Sequence, residues 1–135
     1  MNGAASLKHA KHERLVLVID GDEFLANLFR FKLEAAGFHA STACSPTQIW
    51  QAVGTLKPDL VIVDLMLLDP DPYSLIKKLT GGKRDGKPTV IAMSRVRDEG
   101  CDQRVAEAGA ALCLVTTTCT PAELVLSVKK LLKVK

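Results

Sequence analysis

The sequence predicts a doubly wound α/β domain on a five-stranded parallel sheet, and three observations carry that prediction. Short, almost wholly apolar runs rich in Val and Ile recur along the chain, the composition of strands covered on both faces. Between them, apolar residues repeat with the period of a helix. The alternation is strict, each strand signal being followed by a helix signal. Strands so connected run parallel, with right-handed crossovers and helices on both faces. The predicted strand order is 2-1-3-4-5.

Residues 1–13, with a Lys/His cluster at Lys8, His9, Lys11 and His12, lack periodicity and are expected to form a flexible leader. The domain is expected over residues 14–135. Leu15–Asp20 reads as the first strand. Phe24, Leu25, Leu28, Phe29 and Leu33 then form a helical stripe, and Gly37 is placed to end that helix in a left-handed conformation. The more polar Phe38–Ala43 is expected at an edge of the sheet. Ser45-Pro46-Thr47-Gln48 combines a capping hydroxyl, a proline at the first helical position and a capping-box Gln, which marks a helix start. Asp59–Asp64 is the third strand, followed by a short helix over about Tyr73–Leu79. The polar cluster from Gly81 to Pro88 is expected as an exposed loop. Thr89–Ser94 is the fourth strand, Asp98–Ala108 the fourth helix and Leu112–Val115 the fifth strand. Thr120-Pro121-Ala122-Glu123 repeats the helix-start signal. The last helix, to about Lys133, sets Leu124, Val125, Val128, Leu131 and Leu132 on one face. Its Lys129, Lys130 and Lys133 lie near the C-terminus, where the dipole favours cations.

Bulk properties narrow the function classes. A chain of 135 residues fits one domain that can bury its core without disulfides or metal. Of 18 basic and 15 acidic residues, three and one respectively lie in the first fourteen positions, which leaves 15 against 14 in the body. So even a balance provides no general field for nucleic acid or an anionic membrane. Cys44, Cys101, Cys113 and Cys119 show neither CxxC nor Cys/His metal spacing, and no signal-peptide pattern precedes them, so a reducing cytoplasm is expected. No apolar run approaches the roughly 20 residues that span a bilayer, and a soluble domain is expected.

In doubly wound sheets, chemistry collects at the carboxyl ends of the strands. Those ends carry Asp20, followed by Gly21, Asp22 and Glu23; Asp64; Ser94; and Thr116-Thr117 after Val115. The segments Leu15–Asp20, Pro58–Leu67, Pro88–Ser94 and Ala108–Ala110 resemble, in order, spacing and strand placement, the receiver domain of two-component response regulators, over about Arg14 to Lys133. The resemblance implies a flavodoxin-like fold. It implies that Asp64 accepts a phosphoryl group from a sensor histidine kinase or phosphotransfer protein. It makes Asp20, Asp64 and the backbone carbonyl of Met66 the ligands of Mg²⁺, and Ser94 the hydroxyl that meets a phosphoryl oxygen. The chemistry agrees, because phosphoryl transfer needs a positioned anionic nucleophile and cations on the transferred oxygens. The partners implied are that kinase, a downstream effector and a second copy of the chain, with no direct contact to nucleic acid or membrane. The signalling surface implied is the fourth helix, fifth strand and fifth helix. Such a domain is not an enzyme beyond dephosphorylating itself.

The sequence departs from the family at one pocket. Gly21 stands where the family has the acid that binds metal directly, so Mg²⁺ binding is expected to be weak. Asp22 is expected to cap the first helix. Thr116 and Thr117 stand where the family has a lysine and a cis-proline, Cys113 where many members have a switching aromatic, and Leu68 and Pro72 where Pro and Gly are common. Each retained residue also has a plainer reading, Asp64 as an acid capping its loop and Ser94 as a turn residue. Three other readings are open: an interaction module independent of phosphorylation, a haloacid dehalogenase-like phosphatase with Asp20 as nucleophile, and a flavodoxin-like cofactor protein. The loop after the first strand lacks the glycines and hydroxyls that would cradle a cofactor phosphate.

Overall fold

A computed structural model describes residues 13–81, 86–96 and 99–134 of the chain. Strands β1 (Leu15–Ile19), β2 (His39–Ala43), β3 (Leu60–Asp64), β4 (Thr89–Ser94) and β5 (Leu112–Val115) form one parallel sheet in the order β2-β1-β3-β4-β5. Between and after them run α1 (Glu23–Ala35), α2 (Pro46–Thr55), α3 (Pro72–Thr80), α4 (Glu99–Ala108) and α5 (Pro121–Leu132). The predicted class and strand order hold. The expected leader is almost all outside the described residues, as are the middle of the Gly81–Pro88 loop and Asp98.

Side chains of successive strand residues point to opposite faces, and this alternation splits the core in two. Val16, Val18, Leu60, Ile62, Ile91 and Met93 pack with Phe29 and Leu33 of α1 and with Leu124, Val125, Val128 and Leu132 of α5. Leu17, Ile19, Val61, Val63, Val90 and Ala92 pack on the other face with α2, α3 and α4 through Ile49, Val53, Leu75, Ile76, Leu79, Val105 and Ala108. Each fully buried Leu, Ile or Val contributes roughly 1.5–3 kcal/mol of transfer free energy, so these two layers hold the strand ends in place. Phe24, counted in the helical stripe, is 80% exposed; the buried face of α1 is centred on Ala26, Phe29 and Leu33.

Local signals explain where the elements stop. Gly37 has φ 98°, its N–H donates to the Glu34 carbonyl, and the Phe38 N–H donates to the Leu33 carbonyl, closing α1 as a Schellman motif. Gly109, with φ 112°, closes α4 in the same way onto Ala106 and Val105. Asp22, Ser45, Asp71 and Thr120 cap α1, α2, α3 and α5 by accepting from the backbone N–H three residues on. The Gln48 side chain reaches back to the Cys44 N–H, one residue before the cap.

Candidate functional site

Asp20 is the first residue past β1 and is buried, with 5% of its surface exposed. Its N–H donates to the Ala43 carbonyl at 3.2 Å, and its Oδ1 accepts the Asp22 N–H at 2.9 Å. Asp64 ends β3 and is half-buried, its Oδ1 accepting the Met66 N–H at 2.9 Å. The two carboxyls line the same cleft and act on one another electrostatically, so β1 and β3, neighbours in the sheet, bring both acids to one site. Burial, reinforced by the charge of Asp64, pushes the Asp20 carboxyl up to about 6, against the opposing pull of the Asp22 N–H.

A cleft of about 410 Å³ opens over this pair, lined by Asp20, Gly21, Asp22, Asp64, Met66 and Asp69, with Cys44 and Arg95 also on its wall. Burial and the nearby acids push the Cys44 thiol up, away from the reactive thiolate. A larger cleft of about 750 Å³ lies at the opposite ends of the strands, among Arg14, Lys57, Asp59, Lys87 and Lys133. It holds none of the strand-end acids, and ligands of such sheets bind at the carboxyl ends.

Ser94 is buried at the end of β4, but its hydroxyl donates to the Val96 carbonyl at 2.7 Å and accepts the Val96 N–H at 3.3 Å. It is thus engaged within its own loop and must turn to meet a ligand on Asp64. Thr116, just past β5, donates both its N–H (2.7 Å) and its hydroxyl (3.2 Å) to the Ser94 carbonyl. Asp22 caps α1 with its Oδ1 on the Leu25 N–H at 3.2 Å. At Gly21 an added Cβ would meet only Leu67 Cδ2, at 4.0 Å, so there is room for a side chain.

The groups that could hold a cation here are the carboxyls of Asp20 and Asp64 and the backbone at Met66. Among the described residues no group of three His, Cys, Asp or Glu side chains stands in a metal-binding arrangement. Arg95 and Asp69 were not singled out in the sequence, although Arg95 directly follows the serine that ends the fourth strand, a position the topology sends to the site.

The Asp20 shift makes stability depend on pH. Its folded value, about 6, exceeds the ordinary 3.8 of an unfolded carboxyl. The folded chain therefore holds the proton more tightly, and the stability this contributes is full below about 3.8 and lost as pH rises through 6. In chelator-treated buffer, the urea midpoint is expected to rise as pH falls from 7 to 5, and to lose that dependence in Asp20→Asn. Asp71, lowered by its cap bonds to Ser74, has the opposite sign, but its contribution is lost only below the 3.8 of an ordinary carboxyl. A midpoint flat in both proteins would contradict the assigned proton.

The family profile described as the response regulator receiver domain matches residues 16–129. The alkaline phosphatase synthesis transcriptional regulatory protein PhoP of Bacillus subtilis is 30% identical over 88 residues, covering 65% of this chain and 35% of that protein. The DNA-binding response regulator MtrA of Mycobacterium tuberculosis is 42% identical over 52 residues, 38% of this chain and 23% of MtrA. The matched stretches thus span about a third or less of these relatives. Among solved structures, the receiver domain of a DNA-binding response regulator from Colwellia psychrerythraea superposes with a TM-score of 0.82 at 24% identity, covering 90% of this chain and 99% of that one. The receiver domain of the Francisella response regulator 1452 gives 0.79 at 25% identity, with 90% and 98% covered. No described helix is long and apolar enough to cross a membrane.

Proposed function

The chain belongs to the response regulator receiver domain family, signalling domains of two-component systems, and on that footing we propose that it accepts a phosphoryl group on Asp64. The donor is the phosphohistidine of a sensor kinase or phosphotransfer protein in the cytoplasm. A carboxylate oxygen of Asp64 attacks phosphorus as the P–N bond breaks. Its electron pair returns to the imidazole, and water supplies the balancing proton. The meeting of Asp20 and Asp64 in an open cleft is the observation that supports this reading most directly. Mg²⁺ would be held by Asp20, Asp64 and the Met66 carbonyl, and supplies charge neutralisation on the phosphoryl oxygens. Ser94, once turned from Val96, donates to one of those oxygens.

The wall of the cleft carries Met66 and Leu68, 52% and 99% exposed. Exposed apolar groups around an acceptor suit the docking of a protein donor. The phosphorylated state signals through α4, β5 and α5 to a downstream effector or a second copy of the chain, with no direct contact to nucleic acid or membrane. Water attack on the aspartyl phosphate resets it.

Incubation with acetyl phosphate and Mg²⁺ followed by intact-mass measurement is expected to show a small fraction gaining one phosphoryl group, absent in Asp64→Asn. Calorimetric titration is expected to give weak Mg²⁺ binding that Gly21→Asp tightens, since the added carboxylate would be a direct ligand. A tight native site would contradict the role given to Gly21. The second reading, an interaction module that works without phosphorylation, is favoured by Gly21 and Thr116 standing where the family has a metal-binding acid and a lysine. Absence of an adduct even when both positions are restored would favour it. Membership of the receiver family leaves no place for the phosphatase or the cofactor protein.

A further inference from the structure

We propose that Arg95 is the phosphoryl-recognising cation of this pocket, supplying from the loop after β4 the charge that Thr116 cannot supply from the end of β5. The proposal rests on Asp64 being the acceptor, and it names the residue that makes transfer feasible there.

Arg95 lines the same cleft as Asp20 and Asp64. The other charged residues on that wall are Asp20, Asp22, Asp64 and Asp69, so Arg95 is the one basic residue lining a cleft with four acids. The ion pairs among the described residues are Arg14 with Asp59 and Arg30 with Glu34, so Arg95 has no ion-pair partner among the described residues. Its backbone, by contrast, is pinned. The Thr117 hydroxyl donates to the Arg95 carbonyl at 3.2 Å, and Ser94 and Val96 on either side are joined through the Ser94 hydroxyl. The side chain is therefore carried by a fixed turn next to the strand-four hydroxyl.

Thr116 offers no substitute, because it carries no charge and its hydroxyl is already given to the Ser94 carbonyl at 3.2 Å. A guanidinium presents a planar fork that binds two oxygens of a phosphoryl group at once. As negative charge spreads over three equatorial oxygens during transfer, such a contact acts where it develops. A resident cation also repels Mg²⁺, so Arg95 and the missing carboxylate at Gly21 both weaken metal binding.

The test is Arg95→Ala in the full chain. Labelling by acetyl phosphate is expected to fall about thirty- to a thousand-fold, and beryllium trifluoride binding, read by fluorine NMR, to weaken alongside. Mg²⁺ affinity without phosphodonor is expected to rise, a change that simple loss of structure would not produce. Arg95→Lys is expected to keep most of the rate, and Arg95→Ala/Thr116→Lys to recover it by restoring a cation from β5. Equal labelling and equal beryllium trifluoride affinity in Arg95→Ala would overturn the proposal. So would a native chain that takes no label while Gly21→Asp/Thr116→Lys does, and that result would leave the acceptor role of Asp64 standing. No label in either protein would overturn the acceptor reading itself, and with it the role of Arg95.

Discussion

Gly21→Asp combined with Thr116→Lys is expected to take up phosphate from acetyl phosphate roughly thirty- to a thousand-fold faster than the native chain, the factor for about 2–4 kcal/mol of regained charge stabilisation. The pocket can receive both changes. A Cβ at residue 21 meets only Leu67 Cδ2 at 4.0 Å, and Gly21 is not among the residues of positive φ, so the Cβ of an aspartate there meets no clash and its backbone no left-handed strain. Thr116 is half-buried and its backbone N–H is held by the Ser94 carbonyl at 2.7 Å. A lysine at this position keeps that bond and loses only the hydroxyl contact, about 0.5–1.5 kcal/mol. Gly21→Asp alone is expected to supply the larger share, because Arg95 already provides one positive charge on the cleft wall. Without metal, the same variant crowds a third acid beside Asp20 and Asp64, so its thermal midpoint is expected to drop and to recover with Mg²⁺. Time courses of intact mass check the rate. An unchanged rate would show that these two positions do not limit transfer.

Gly109→Ala is expected to lower folding stability by about 2–4 kcal/mol, combining backbone strain with a steric clash. Gly109 sits at φ 112° just past α4, a conformation that L side chains rarely adopt. The Cβ of alanine would press on the Thr80 hydroxyl and lie 2.9 Å from Thr80 Cβ. Thr80 cannot easily withdraw, because its hydroxyl ties the end of α3 to the end of α4, at 2.8 Å from the Ile76 carbonyl and 3.0 Å from the Ala108 carbonyl. The thermal midpoint should fall on the order of 10 °C. Thr80→Ala in the same chain should recover part of the loss by removing the clashing hydroxyl, while the strain at residue 109 remains. A loss under about 1 kcal/mol would mean that the turn relaxes more readily than its contacts imply.

Legibility followed how local each cause is. Thr89–Ser94 and Leu112–Val115 coincide with the strands found, because a run of Val, Ile and Leu between polar turns has few other ways to bury itself. Gly37 ended its helix as expected, since a left-handed residue one step past the last turn is a property of the chain segment itself. The edge position of β2 was readable from His39-Ala-Ser-Thr-Ala43. That of β5 followed from the predicted strand order and not from its composition: Leu-Cys-Leu-Val reads as a buried strand, yet three of its four residues are half-buried.

At the site, the sequence determined which acids stand at strand ends, and with the parallel order this determined that Asp20 and Asp64 would be neighbours. The departures at Gly21 and Thr116 were equally plain, because residue identity alone carries them. Only the tertiary structure decided how these groups address one another. It set the Asp20 and Asp64 carboxyls on one cleft and pushed Asp20 up to about 6. It gave the Ser94 hydroxyl to Val96 and the Thr116 hydroxyl to the Ser94 carbonyl. It set Arg95 on the wall of the acid cleft. These outcomes depend on loop backbones, desolvation and distances between strands far apart in sequence, and such terms arise only when the sheet assembles.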